Sequence, residues 1–292
     1  MKKRTYILAI ACVLLLLGLG RFYFTDSDFS PSNPFWNGMS ELSFSLNVRP
    51  IYDMSGAGSM DAGDTLLIIS PSRNFSASET AAVHSFLLGG GRVVVMDDFG
   101  HANSLLNGLG SPVTIDQVPL YQYDDFYRNQ SCPIISVSPP YAKNVNRLVL
   151  NHPAALNVSG SALIIASSSR YGWLDINGDH TLSPNEKTMA YPVIASCPIG
   201  KGQLLVISDP DLFINSMLGK EDNMAFLSDI IQGRPWLDVS HGLQVVPLFR
   251  AYYALKFDPL LQSLTVLVIV VFVGLILWRR PLMGVIKRSR GK

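Results

Sequence analysis

The C-terminal apolar run is the feature that most constrains this chain. Residues 260–278 contain no charged side chain, and most of them are Val, Leu or Ile. As an α-helix this run would rise about 28 Å, close to the hydrocarbon thickness of a bilayer. A helix in a soluble core rarely stays apolar on every face over such a length. We therefore predict a transmembrane helix over residues 260–278, followed by a basic cytoplasmic tail over residues 279–292.

A second apolar run lies near the N-terminus, over residues 5–20. Three basic residues precede it, and Arg21 with three aromatic residues follows it. An uncleaved membrane anchor and a cleaved signal peptide both fit this pattern, and both export the chain that follows. We assign residues 1–24 to an N-terminal transmembrane anchor, with the signal peptide as the alternative.

Charge is distributed unevenly along the chain. Residues 25–258 contain 13 of the 23 Lys and Arg residues but all 22 Asp and Glu residues, a net charge of −9. Because basic residues that flank membrane spans stay in the cytoplasm, we expect localisation in the cell membrane, with both termini cytoplasmic and the main domain extracytoplasmic. An acidic domain disfavours nucleic acid as a partner. The expected partners are the lipid bilayer and another membrane or envelope protein.

The exported segment divides into a linker and first helix (25–47), an extracytoplasmic α/β domain (48–240) and a juxtamembrane segment (241–259). Residues 65–70 form a continuous apolar run of the kind found in buried parallel strands. A capping box, Ser76 with Glu79, then predicts the start of a helix. Three glycines end that helix before the next strand, residues 92–96. This strand–helix–strand unit predicts a parallel pair of strands.

Three further strands and one helix follow in the pattern. The strands are predicted over residues 162–166, 191–196 and 203–208, and the helix over residues 223–231. Gly200-Lys201-Gly202 separates the last two strands and favours a hairpin. The predicted fold class is α/β, with a mostly parallel, flavodoxin-like sheet flanked by helices and one transmembrane helix at each end.

Three sequence blocks carry a family resemblance. They cover residues 70–86, 90–103 and 200–223, and they include Met96-Asp97-Asp98-Phe99-Gly100 and Ser208-Asp209-Pro210-Asp211. Together they resemble the domain-of-unknown-function family 4350, found in archaeal and bacterial membrane proteins. The resemblance implies a fold similar to class I glutamine amidotransferase-like domains and a relation to ectodomains of auxiliary subunits of ABC-type export systems. It implies architecture and no activity.

The residues do not form a recognisable catalytic motif. Both exported cysteines, Cys132 and Cys197, precede a proline, which lacks the N–H that an oxyanion hole would use. The histidines are scattered and show no metal-ligand spacing. We predict no catalytic residues and no enzyme activity. The expected function is a non-catalytic binding or scaffolding domain, accessory to a membrane transport or envelope complex. An extracytoplasmic hydrolase with an acidic site and a ligand sensor are the alternatives.

The two exported cysteines lie in a segment expected to face an oxidising compartment. Two thiols there favour one disulfide, Cys132–Cys197, with free buried thiols as the alternative. Three sequons in the same segment are glycosylation candidates, with acceptors at Asn74, Asn129 and Asn157.

Acidic residues follow two of the predicted strands. In α/β sheets, ligand sites lie at the C-terminal ends of strands. The side chains at these positions could together bind a cation or a polar ligand: Asp97, Asp98, Asp209, Asp211 and Asn215. The alternative is that Asp98 and Asp209 cap the helices that follow.

The loop 175–186 carries a pattern typical of calcium binding. Oxygen ligands at positions 1, 3, 5, 7, 9 and 12 would come from Asp175, Asn177, Asp179, Thr181, Ser183 and Glu186. His180 stands where such loops have Gly, and the preceding residues resemble a strand. Calcium is therefore the one expected cofactor. The alternative is a solvated hairpin with its turn at Asn177-Gly178.

Overall fold

The computed structural model describes residues 25–138 and 144–271, together with Ile10. The chain divides into two compact units, Met1–Val246 and Pro247–Lys292. All the strands found in the described ranges belong to the first unit.

The first unit alternates short strands and helices. Its strands are β1 (Arg49–Ile51), β2 (Thr65–Ile69), β3 (Arg92–Met96), β4 (Val113–Gln122), β5 (Ile134–Val137), β6 (Arg147–Val149), β7 (Ala154–Val158), β8 (Leu163–Ser167), β9 (Gly172–Leu174), β10 (Pro192–Ile199), β11 (Gly202–Ile207) and β12 (Pro235–Asp238). Its helices are α1 (Ser40–Ser45), α2 (Ala77–Gly89), α3 (Ala102–Gly108), α4 (Asn215–Leu218) and α5 (Asn223–Ile230), with 3₁₀ turns at Met54–Ser59 and Pro210–Phe213.

The main sheet has nine strands in the order β1-β12-β2-β3-β11-β10-β8-β5-β6. Strands β1, β12, β2, β3 and β11 pair in parallel. The remaining pairings, from β11 through β10, β8 and β5 to β6, are antiparallel. The hairpin between β10 and β11, with Gly200 at φ 59°, confirms the predicted turn and reverses the strand direction at that point.

The predicted mostly parallel, flavodoxin-like or amidotransferase-like sheet is therefore wrong, because this sheet is mixed. The hairpin places β10 antiparallel to β11, at the end of the parallel half. The strands beyond β10 in the sheet, β8, β5 and β6, continue by antiparallel pairing. A separate antiparallel sheet, in the order β7-β4-β9, completes the strands of the described ranges.

Local signals at the strand–helix–strand unit act as predicted. The Ser76 Oγ accepts from the Glu79 N–H at 3.3 Å, and Glu79 Oε2 accepts from the Ser76 N–H at 2.8 Å, which closes the capping box at the start of α2. Gly90 ends the helix in the left-handed conformation, φ 114°. A Cβ on Gly91 would lie 2.2 Å from the Phe86 ring, so the chain needs glycine there. Strands β2 and β3 then pair in parallel.

The core lies on both faces of the main sheet because side chains alternate along each strand. One face packs Leu67, Val94 and Leu205 with residues of α5. The opposite face packs Leu66, Val93 and Leu204 with residues of α2 and α3. Helices on both faces explain why β2, β3 and β11 are almost continuously apolar.

The second unit contains helix α6 (Pro247–Phe257) and helix α7 (Pro259–Val271). The Asp258 carboxylate accepts from the Leu260 and Leu261 N–H groups, so it caps α7 and separates it from α6. The two helices are bent by 96°.

In the described ranges no single helix is long and apolar enough to cross a membrane, although the bent pair together meets the length and composition criteria. The prediction of a transmembrane helix over residues 260–278 is therefore wrong for the part that is described. The predicted N-terminal span falls outside the described residues except at Ile10, and the predicted tail, residues 279–292, falls wholly outside them.

Candidate functional site

The acidic residues after β3 and β11 meet at one edge of the sheet. These strands are parallel neighbours in register, with Val95 opposite Val206 and Met96 opposite Ile207. The segments that follow therefore leave the sheet side by side. Burial is the largest cause of the raised pKa values of Asp209 and Asp211, and the Asp98 charge adds to both. Ligand binding by these acids stays a prediction.

The Asp97 carboxylate accepts hydrogen bonds from the backbone that follows it. The side chain is 1% exposed, and it accepts from the Gly100 N–H at 3.2 Å and from the Ala102 N–H at 2.8 Å. Burial raises the pKa of Asp97 to about 6. A Cβ on Gly100 would lie 2.5 Å from Asp97 Oδ1, so glycine lets the loop close over the carboxylate. Asp97 thus binds the first turn of α3.

Asp98 is the more accessible of the two acids after β3. It is half-buried, and its Oδ1 accepts from the Phe99 N–H at 2.6 Å. Burial raises the pKa of Asp98, and the neighbouring His152 acts in the opposite direction.

Asp209 and Asp211 are joined through Asn151. Asp209 is fully buried, and it accepts from the Asn151 N–H at 2.7 Å and from the Asp211 N–H at 2.8 Å. The Asn151 side-chain amide donates to Asp211, while its Oδ1 accepts from the Cys132 thiol at 3.4 Å. Burial raises the pKa of Asp211 to about 6 and that of Asp209 well above its usual value.

Asn215 holds the N-terminal loop to the sheet edge. Its Nδ2 donates to the Phe35 carbonyl at 2.6 Å and to the Asn33 carbonyl at 3.1 Å, and its Oδ1 accepts from the Glu41 N–H at 3.0 Å. Both ends of this amide are engaged with backbone groups, so the structure gives Asn215 a positioning role.

A cleft next to Asn151 was not predicted from the sequence. We call it the Arg128–Lys220 cleft; it encloses about 140 Å³ and is lined by Trp36, Tyr127, Arg128, Cys132, Asn151, Ser216, Met217 and Lys220. Arg128 and Lys220 lie over the Tyr127 ring, at 5.3 Å and 5.0 Å from its centroid. Lys220, acting on the hydroxyl, lowers the pKa of Tyr127. These residues are scattered in sequence, so no motif could have revealed the cleft.

A second cleft adjoins the first and shares Arg128 with it. It encloses about 520 Å³ and is lined by Tyr121, Phe126, Arg128, Asn129, Gln130, Ser131 and His180. Its lining is aromatic and mostly uncharged.

The loop 175–186 folds on its own hydrogen bonds. Asp175 accepts from the Gly178 N–H at 2.8 Å and from His180 Nδ1 at 2.9 Å, while Glu186 accepts from the Ile176 N–H at 2.8 Å. His180 adopts φ 59°, the conformation for which such loops use glycine. Asp179 binds the Thr181 N–H and hydroxyl, both at 2.9 Å, and these bonds lower its pKa.

The remaining predicted ligands of this loop also bond within it. The Asn177 amide donates to Asp179 and to the Ser183 hydroxyl. Across residues 25–138 and 144–271, no group of three or more His, Cys, Asp or Glu side chains is placed to hold a metal ion. Calcium binding stays a prediction.

The predicted disulfide between Cys132 and Cys197 is wrong, because both thiols are free and buried. Cys197 lies on β10, whereas Cys132 comes just before β5, and β8 separates these two strands in the sheet. With one strand between them, β10 and β5 lie more than about 9 Å apart, which is farther than a disulfide can bridge. Burial raises the pKa of both thiols.

The three predicted glycosylation acceptors are exposed. Asn74 bonds to His101, Asn157 lies on β7, and Asn129 bonds to the N–H and the hydroxyl of Ser131 in a loop. Modification of these residues stays a prediction.

The fold and its strand-end acids define an α/β domain with a mixed sheet. The chain belongs to the family described as "Domain of unknown function (DUF4350)", whose model matches residues 33–231. No curated protein matches the sequence.

Several solved structures are similar to the chain. The mmIFT52 N-terminal domain is 17% identical with a TM-score of 0.51, over 65% of this chain and 84% of that one. This likeness shows the fold alone. The cytoplasmic protein STM1381 from Salmonella typhimurium LT2 is 12% identical with a TM-score of 0.39, over 64% and 78% of the two chains. A β-galactosidase from Bacillus circulans sp. alkalophilus is 11% identical with a TM-score of 0.36, over 57% of this chain and 22% of that one.

Proposed function

We propose that this chain is a non-catalytic binding or scaffolding domain that works outside the cytoplasm, as an accessory to a membrane transport or envelope complex. One observation carries the proposal: the strand-edge carboxylates hold backbone N–H groups, whereas the adjacent cleft presents Arg128 and Lys220 to solvent-accessible space. The recognition surface in this proposal is the Arg128–Lys220 cleft.

The geometry of the acids supports binding over hydrolysis. A general acid or base must come within hydrogen-bond reach of its substrate. Asp209 is fully buried and Asp97 nearly so, and each already accepts two backbone hydrogen bonds. Raised carboxyl pKa values are the observation that favours a hydrolase. Burial is the largest cause of each raised value, and it follows from the structural role of these groups.

Charge and exposed apolar surface support the location and the partners. The net charge of −9 over residues 25–258 suits an exported domain. Along α7, Leu260, Leu264 and Val268 are 68%, 48% and 66% exposed. Apolar exposure of this extent supports contact with lipid or with an apolar surface of a membrane protein.

Comparative co-purification tests this proposal. The tagged full-length chain would be isolated from native membranes in mild detergent, as wild type, as Arg128→Gln/Lys220→Gln, and as Arg170→Gln. Arg170 is a matched control, because it lies over the Tyr171 ring at 4.8 Å but outside the cleft. We expect a partner that is retained by wild type and Arg170→Gln and lost from the double variant. Equal retention by all three chains would contradict the proposed surface.

A further inference from the structure

The Arg128–Lys220 cleft holds two cations without ion-pair partners. Seven ion pairs occur among the described residues, and neither Arg128 nor Lys220 takes part in them. Both cations lie over one aromatic ring, that of Tyr127. Both cations also line the same cleft, so an anion in that cleft would be attracted by both charges.

The local carboxylates explain why these cations stay unpaired. Asp125 and Glu221 are close in sequence to Arg128 and Lys220, but both carboxylates bind Arg147 instead, at 2.9 Å and 3.8 Å. Asp211 accepts a hydrogen bond from the side-chain amide of Asn151, which lines the cleft. The domain is acidic overall, yet it leaves its carboxylates away from these two cations.

The floor of the cleft is uncharged. Cys132 is 6% exposed, and burial raises the pKa of its thiol, so the sulfur is protonated at neutral pH. Asn151 is neutral and fixed by its bonds to Asp209, Asp211 and Cys132. An anion entering the cleft therefore meets two cations and no facing carboxylate among the lining residues.

The size and shape of the cleft limit the class of ligand that it can bind. The cleft encloses about 140 Å³, whereas pockets for whole drug-sized ligands enclose about 300–1,000 Å³, so it suits a head group rather than a complete cofactor. Two cations match a dianion, and the planar fork of Arg binds phosphate oxygens in pairs. Trp36, 68% exposed, offers a flat apolar surface in the same cleft.

We propose that the Arg128–Lys220 cleft binds a phosphate monoester whose substituent is a planar apolar group. The phosphate accepts hydrogen bonds from the Arg128 guanidinium and the Lys220 ammonium group, and the substituent stacks against Trp36. This inference rests on the proposed function, since it names the ligand class of the same surface.

Titration of the full-length chain with phenyl phosphate tests the inference, with heat of binding and tryptophan fluorescence as readouts. We expect saturable binding, weaker binding of inorganic phosphate, which lacks the ring, and weaker binding of benzoate, which carries one charge. Arg128→Gln and Lys220→Gln should each raise the Kd about 10- to 100-fold, because each removes hydrogen bonds between charged groups. Arg170→Gln, the matched control, should change the Kd less than about twofold.

The outcomes separate this inference from the proposed function. Benzoate binding as tight as phenyl phosphate, or equal effects of Arg128→Gln and Arg170→Gln, would overturn the phosphate monoester site. If the partner still depends on Arg128 and Lys220 while phenyl phosphate does not bind, the inference fails and the binding function stands. Release of phenol from phenyl phosphate would refute the non-catalytic function while supporting the site.

Discussion

Asp209 at the sheet edge and Asp179 in the loop 175–186 are the same side chain in opposite surroundings. Asp209 is fully buried and accepts from the N–H groups of Asn151 and Asp211, and burial raises its pKa. Asp179 is exposed and accepts from the Thr181 N–H and hydroxyl, which lower its pKa. Both carboxylates organise a turn, but only Asp209 is shielded from solvent.

The difference shows which acids hold the fold together. A buried N–H that loses its acceptor has no water to replace it, so the loss costs about 1–3 kcal/mol for each group. An exposed N–H that loses its acceptor can donate to water instead, at little cost in free energy. Strand-end acids such as Asp97 and Asp209 are therefore expected to govern the stability of the domain, and the loop acids to govern local order.

The largest expected effect comes from Asp209→Ala. This change leaves the N–H groups of Asn151 and Asp211 without acceptors, and we expect the free energy of unfolding to fall by about 3 kcal/mol. The matched change Asp179→Ala should cost less than about 1 kcal/mol, because its partners are exposed. Urea denaturation of the two variants and wild type measures both values. If both variants lose the same free energy of unfolding, buried acids do not stabilise the fold more than exposed ones.

A smaller effect is expected from pH. Burial raises the pKa of Asp97 and Asp211 to about 6 each, so the folded chain binds more protons than the unfolded chain between about pH 4 and 6. The free energy of unfolding should therefore fall as pH rises through this window, by on the order of 2 kcal/mol for each of the two carboxyl groups. Glu79 has a pKa lowered to about 2, so its contribution is lost only as pH falls below about 4.5.

Urea denaturation between pH 4.5 and 7 measures this dependence. Asp97→Asn should flatten the slope, because it removes one of the groups that titrate in the window. Asp53→Asn is the control, since Asp53 is exposed and its pKa is lowered. A slope that Asp97→Asn leaves unchanged would show that this carboxyl does not titrate there.

Calcium should have the smallest effect. If the loop binds the ion with a Kd of about 10⁻⁴ to 10⁻³ M, a tenfold excess over the Kd adds about 1.4 kcal/mol to the free energy of unfolding. The melting temperature should then rise by a few degrees, with less effect from magnesium. Glu186→Gln should remove the shift, because Glu186 supplies the last ligand of the pattern. Calcium shifts of the same size in wild type and Glu186→Gln would show that the loop is an ordinary polar turn.

Local sequence signals predicted many elements correctly. The capping box at Ser76 and Glu79, the strand Arg92–Met96 and the hairpin at Gly200 all lie where the sequence indicated. These signals depend on residues a few positions apart. Strand direction in the antiparallel half of the sheet does not, because β5 and β6 are only four and three residues long and join the sheet through the pairing of β5 with β8.

The sequence placed acidic residues directly after β3 and β11, and the structure shows that these two strands are parallel neighbours. The sequence did not show which carboxylates would be buried, nor that Asn151 would connect Asp209, Asp211 and Cys132. The predicted disulfide failed for the same reason: the pairing of two cysteines depends on which strands lie between them.

By itself, the sequence determined the strand–helix–strand unit and the hairpin, because caps, glycines and apolar runs act over short distances. Only the tertiary structure decided that the sheet is mixed, that the cysteines stay apart, and that Arg128 and Lys220 face one ring while Arg147 takes the nearby carboxylates. The physical reason is that burial and charge pairing depend on distances in space, which the packing of remote segments sets.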